Sequence, residues 1–240
     1  MNQSADMNPS HFGPDPLGDE PDPARAVARA LLDAGCVAVR TEEPFHLPSG
    51  WASPVYIDCR RIISFPALRR QLVARGLRVL KDAGVLDGLS AVVGGEASGI
   101  ALAAWLADAL DLPLQYVRKR RAGHGQVEGV VSAGGRALLV DDMMAGGQSK
   151  VRFCKALSSA GARVEDLLVV FDYGTFPTRE LLEPIGVSVH ALATWRDVLA
   201  VLHERGGFDP AALRDFESFL ADPAGWSQAH GGLGAGPAAH

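Results

Sequence analysis

The chain has 240 residues, 48% of them apolar, and 28 acids against 23 bases give it a net charge of −5. That length suits one domain, or one with an appendage, and is ample for a full core. Asp6, Asp15, Asp19, Glu20 and Asp22 lie in residues 1–23, which hold no Lys or Arg, so the remaining chain is balanced at 23 against 23. This argues against a generally basic nucleic-acid binder. Cys36, Cys59 and Cys154 are odd in number and widely spaced. They form neither a disulfide framework nor a CxxC zinc site, and read as reduced thiols of a cytoplasmic protein. No apolar run approaches the ~20 residues of a membrane span, and no basic-then-apolar signal pattern stands at the start.

In chain order, residues 1–23 carry five prolines (Pro9, Pro14, Pro16, Pro21, Pro23) and few apolar side chains, which predicts a disordered acidic tail. Residues 24–34 have helical apolar spacing, closed by Gly35. Residues 55–58 read as a short strand. Residues 66–83 form a basic amphipathic helix with Leu68, Leu72, Leu77 and Leu80 on its apolar face. Strands follow at 90–93, 114–117, 136–140, 167–171 and 187–190. Helices lie at 99–110, 149–160, 195–204 and 210–220, and residues 229–240 form a loose Gly/Ala-rich tail. Strands alternating with helices predict an α/β fold, a parallel sheet flanked by helices on both faces. Ligands then bind where loops leave the carboxyl ends of the strands.

Four segments stand where chemistry is expected. After the strand ending at Val140 come Asp141 and Asp142, then Met143, Met144, Ala145, Gly146, Gly147, Gln148 and Ser149. Backbone N–H groups at such a turn and helix start hold phosphate, and paired acids accept ribose hydroxyls or act on a metal. The same acids also suit plain helix capping. After Val93, the small residues Gly94, Gly95, Glu96, Ala97, Ser98 and Gly99 permit close approach of an anion, or make a turn capped by Ser98. Arg118, Lys119, Arg120 and Arg121, followed by His124, make a cationic loop suited to a polyanion or simply a solvated charge run. Residues 45–58 carry aromatics and turn formers, as a substrate-covering hood or an ordinary hairpin over Ser49-Gly50. His46, His190 and His203 have no partner at ligand spacing, and Trp105, Trp195 and Trp226 read as packing residues.

Together these segments resemble the orotate phosphoribosyltransferases, a branch of the type I phosphoribosyltransferases. Phe45-x-Leu47-x-Ser49-Gly50-x-x-Ser53-Pro54-x-Tyr56 is similar to that family's N-terminal hood. Tyr116-Val117-Arg118-Lys119, then His124-Gly125 and Gln126-Val127-Glu128-Gly129, is similar to its catalytic loop. Leu138 to Asp142 followed by Gly146-Gly147-x-Ser149 is similar to its ribose-phosphate motif. The resemblance runs from about Ala24 to Trp226, with the hood at about 24–64. It implies Mg²⁺-dependent transfer of ribose 5-phosphate from phosphoribosyl diphosphate to orotate, in pyrimidine biosynthesis. It also implies a homodimer in which Arg118, Lys119 and His124 reach diphosphate across the interface. Asp141 and Asp142 would hold ribose hydroxyls, the turn to Ser149 the 5-phosphate, and Gly94 to Gly99 the diphosphate, with Mg²⁺ held mainly by substrate oxygens. Tyr56, and Tyr173 in place of a base-recognising Arg, would meet substrate.

The sequence also departs from the family pattern. Met144, Ala145 and Gly146 replace the usual hydroxyl-bearing turn, Ala122 a loop Lys, and Pro48 a hood Lys. The loop is about three residues short after Gly125. A non-catalytic binder of phosphoribosyl diphosphate, or a transferase for another base, are the alternative readings.

Overall fold

The computed structural model describes residues 20–40, 43–47, 49–122, 125–175 and 178–234, with Ala122 and Arg179 as backbone only. The acidic segment up to residue 19, His124, and the last residues 235–240 lie outside the described residues.

Helix α1 (Pro23–Asp33) starts on Asp22, whose carboxylate accepts the Arg25 amide, with Pro in the first turn. Four short strands then build the hood. β1 (Val37–Val39) pairs antiparallel with β4 (Val55–Ile57), and β2 (Phe45–His46) with β3 (Ala52–Ser53). Gly50, at φ 84°, closes the β2–β3 turn by donating to Leu47, so Ser49-Gly50 does mark a hairpin. A 3₁₀ turn (Cys59–Ser64) leads into α2 (Pro66–Asp82).

The main sheet follows: β5 (Leu89–Gly95), α3 (Ser98–Leu110), β6 (Leu114–Ala122), β7 (Gly125–Glu128), β8 (Arg136–Met144), α4 (Gln148–Ser159), β9 (Arg163–Asp172), a short α5 (Arg179–Leu182), and β10 (Ser188–Thr194). Then α6 (Trp195–Arg205), α7 (Pro210–Ala221) and α8 (Pro223–Ala229) complete the chain. The strand order is β10-β9-β8-β5-β6-β7, parallel throughout except for β7, which returns antiparallel along β6. Strand alternation divides the interior in two. Val92, Leu138, Val140, Leu168 and Val170 face a core that takes in α1, α2, α3 and α6, while Val93, Leu139, Leu167 and Val169 face a second core closed by α4. Each fully buried Leu or Val contributes about 1.5–3 kcal/mol.

Two expectations change. The strand beginning at Leu114 does not end at Val117 but continues to Ala122, so the cationic run is the arm of a hairpin. The Gly/Ala-rich C-terminal segment is not loose as far as Leu233. The Ser227 hydroxyl accepts the Ala52 amide at 2.9 Å, and the Leu233 amide donates to the Gly50 carbonyl at 2.8 Å, so residues 227–233 strap the hood hairpin down.

Candidate active site

β5 and β8 are neighbours, but α3 leaves β5 on one face of the sheet and α4 leaves β8 on the other. A crevice therefore opens between their carboxyl ends, where doubly wound sheets bind ligands. Glycine makes this crevice narrow. A Cβ on Gly94 would meet the Ile100 Cα at 2.6 Å, one on Gly95 the Asp141 carboxylate at 3.0 Å, and one on Gly99 the backbone of Val140 and Asp141. The start of α3 thus lies directly on the end of β8. The Glu96–Ala97 peptide is cis, and Glu96 accepts the Lys119 amide at 2.6 Å, fastening this turn to β6.

Asp141 and Asp142 are the last acids of β8, 5% and 8% exposed. Buried carboxylates need compensation. Asp141 has an ion pair with Lys150, itself 5% exposed, and also accepts the Asp142 amide at 2.9 Å. Asp142 accepts the Met143 amide at 2.8 Å and a hydrogen bond from Ser98. Burial and the adjacent Asp141 charge push its carboxyl up to about 6, against the smaller opposing pulls of Lys150 and Ser98. The two acids differ accordingly. Asp141 is locked to a cation, while Asp142 holds its charge at a cost that a donor from a ligand would relieve.

Beyond the acids, Gly147 caps α4 in the left-handed conformation at φ 73°. The amides of the turn from Ala145 to Ser149 therefore sit at a helix start, where the dipole favours an anion. The hood completes the crevice. Asp58 accepts both the backbone amide and the side chain of Arg60, the latter at 2.6 Å, which holds its carboxyl below the ordinary value. That aims a largely exposed guanidinium into the field of Asp142. Tyr56 is half-buried on Phe45, with the Arg60 side chain 3.5 Å from its hydroxyl.

A family profile described as a phosphoribosyl transferase domain matches residues 87–175, which run from the start of β5 past the end of β9. The orotate phosphoribosyltransferase of Dinoroseobacter shibae is 43% identical over 222 residues, covering 90% of this chain and 98% of the relative. That of Sinorhizobium fredii is 43% identical, covering 88% and 93%. The chain belongs to the orotate phosphoribosyltransferase family. The crystal structure of the family member from Aeropyrum pernix superposes with a TM-score of 0.66 at 36% identity, covering 75% of this chain and 99% of that one.

The structure of this family member brings together most of the residues expected from sequence: Gly94 to Gly99, Asp141, Asp142, and the turn from Ala145 to Ser149. Two of them are placed differently. Met144 is 1% exposed and belongs to the α4-side core, so the phosphate turn begins after it. Tyr173, 3% exposed, packs edge-on against Phe171 and Trp195, and burial raises its hydroxyl well above the ordinary value. It supports the floor under the hood rather than presenting a face to a base. Arg118 is half-exposed and pairs with Glu128 at 2.8 Å across the hairpin. The Ser98 hydroxyl does not cap α3, because it is turned to Asp142.

Sequence reasoning missed Lys150 and Arg60. Lys150, Phe153, Cys154 and Leu157 stand at i, i+3, i+4 and i+7 of one buried helical stripe, so a cation on an apolar face was the available signal. Arg60 carried no comparable signal. Cys36, Cys59 and Cys154 are free and buried, and burial raises all three thiols. Among the described residues no helix is long and apolar enough to cross a membrane.

Proposed function

We propose that this chain transfers ribose 5-phosphate from phosphoribosyl diphosphate to orotate, releasing orotidine 5′-phosphate and diphosphate, in the cytoplasm. The observation that carries the reading is the acid pair of β8. One member is neutralised by Lys150 and the other holds a charge that burial opposes at the sheet's switch point, next to a glycine-lined turn and a phosphate-type helix start. In this reading Asp142 accepts the ribose hydroxyls and Asp141 fixes its geometry. The amides of the turn from Ala145 to Ser149 hold the 5-phosphate, with Ser149 keeping the one side-chain hydroxyl of that turn. The turn from Gly94 to Gly99 takes the diphosphate.

The site fits Mg²⁺. Among the described residues no group of three or more His, Cys, Asp or Glu side chains could hold a metal by itself. Substrate oxygens would supply most of the hard oxygen environment that Mg²⁺ prefers, with Asp142 beside them. When bound, the ion would neutralise charge on the departing diphosphate. The chain's own part is to orient ribose and diphosphate for a cationic, oxocarbenium-like transition state and to stabilise the leaving anion. Arg60, held by Asp58 beside Tyr56, suits the anionic acceptor or the diphosphate.

We further propose a homodimer in which Arg118, Lys119 and His124 serve the neighbouring site. Exposed Leu114 (41%) and Val130 (86%), tied together where Gln115 donates to the Val130 carbonyl, support an interface beside β6. The test is ultraviolet detection of orotate consumption with phosphoribosyl diphosphate and Mg²⁺. Turnover that Asp142→Asn lacks supports the reading, and absence of turnover from folded wild-type protein refutes it.

A further inference from the structure

A cavity of about 680 Å³ lies between the β6–β7 hairpin and α4, and it shares no lining residue with the crevice above the acids. That is the size of a nucleotide pocket.

Its walls follow from two periodicities. Lys119 and Arg121 alternate with Arg118 and Arg120 along β6, and only Lys119 and Arg121 line this cavity. On α4, Arg152, Lys155, Ala156 and Ser159 stand at i, i+3, i+4 and i+7, one stripe turned toward the hairpin. The four consecutive cations of the sequence are thus split. Arg118 pairs with Glu128, while Lys119 and Arg121 join Arg152 and Lys155 across the cleft. Among the described residues none of these four side chains has a carboxylate partner. A cleft lined by like charges draws in a polyvalent anion. Val127 and Val131 supply an apolar wall beside the charges.

We propose that this cleft is a second anion site, separate from the phosphate turn, which takes a polyphosphate chain. The anion bridges Arg121 of the hairpin to Arg152 and Lys155 of α4, leaving Lys119 to the neighbouring site. Because α4 begins at the phosphate turn, the bound anion ties the cationic hairpin to the element that carries that turn. A nucleoside triphosphate and inorganic polyphosphate share the recognising chemistry. The apolar wall gives the nucleoside a seat that the inorganic chain does not use.

The test is calorimetric titration of the full chain at low salt, without Mg²⁺, using ATP and inorganic tripolyphosphate as probes. Arg152→Glu/Lys155→Glu reverses two exposed charges outside the crevice. It should weaken binding of both probes at least tenfold, and Arg152→Gln/Lys155→Gln should weaken it less. The affinity should fall steeply as salt is raised. Tighter binding of ATP assigns the site to nucleotides, and equal binding assigns it to inorganic polyphosphate. In the enzyme assay the charge-reversed protein should keep its KM for phosphoribosyl diphosphate within twofold. Failure of the wild type to bind either probe at millimolar concentration overturns the proposal. So does unchanged binding in the charge-reversed protein, or a parallel rise in KM, which would make these cations part of the first site. The binding arm requires no turnover, so it stands or falls independently of the proposed reaction.

Discussion

Replacing Asp142 by Asn should remove activity and make the protein more stable. The side chain is 8% exposed, and its carboxyl is raised from an ordinary 3.8 to about 6 by burial and by Asp141. Moving a carboxyl that far corresponds to about 3 kcal/mol, the amount by which ionised Asp142 opposes folding at neutral pH. The unfolded chain ionises this group near its ordinary value and the folded chain does so only near 6. The penalty is therefore absent below about pH 4, grows as pH rises from about 4 to 6, and is complete by about 7. Asn keeps an oxygen for the Met143 amide and the Ser98 hydroxyl while lacking the charge. The gain should be about 2–3 kcal/mol at pH 7.5, or roughly 5–10 °C in Tm for a chain of this size. Paired thermal melts of wild type and Asp142→Asn across pH 4–8 measure it directly. Equal Tm values at pH 7.5, or a gain that does not shrink toward pH 4, would refute the assignment of stored electrostatic cost to this carboxylate.

The same carboxyl sets an acid limb on activity: kcat/KM should fall as pH drops through about 6, because protonated Asp142 no longer accepts ribose hydroxyls, as an initial-rate pH series would show. Lys150→Met leaves Asp141 buried without its cation and should cost about 3–5 kcal/mol in denaturant melts. In whatever fraction stays folded, the acid limb should move to higher pH, since Lys150 lowers the Asp142 value. Gly99→Ala puts a methyl into the Val140 and Asp141 backbone and should reduce kcat/KM at least tenfold by prising α3 from β8, whereas Gly84→Ala, which meets nothing within 4 Å, should leave the rate unchanged. Ala145→Thr should lower KM for phosphoribosyl diphosphate several-fold by restoring a hydroxyl to the phosphate turn, an effect of about 1 kcal/mol.

The sheet was legible because its strands are buried on both faces and read as apolar runs, as at Leu138 to Val140, with helices of clear period between them. The acid pair and the glycines were legible because they interrupt those runs at the strand ends. The hairpin arm beyond Val117 was not, because four cations in a row look solvated in one dimension. Only the folded hairpin shows that they part company, Arg118 to Glu128 and Lys119 and Arg121 to the cleft beside α4. Lys150 escaped for a related reason: lysine is seldom buried, and its partner lies nine residues earlier on another element. Tyr173 was placed by family analogy at a base, yet its position is set by Phe171 and Trp195, which belong to strands and helices that no local pattern connects.

The strap between the last helix and the hood bears on the order in which the molecule is made. Residues 45–57 emerge early in synthesis, but the Ala52 amide finds its acceptor only in Ser227, and Gly50 only in Leu233. On a ribosome the parallel sheet can therefore assemble strand by strand while its roof waits for nearly the whole chain. Residues 227–233 close over the hood hairpin last, and a nascent chain stopped before Ser227 would carry the acid pair without these ties on the hood.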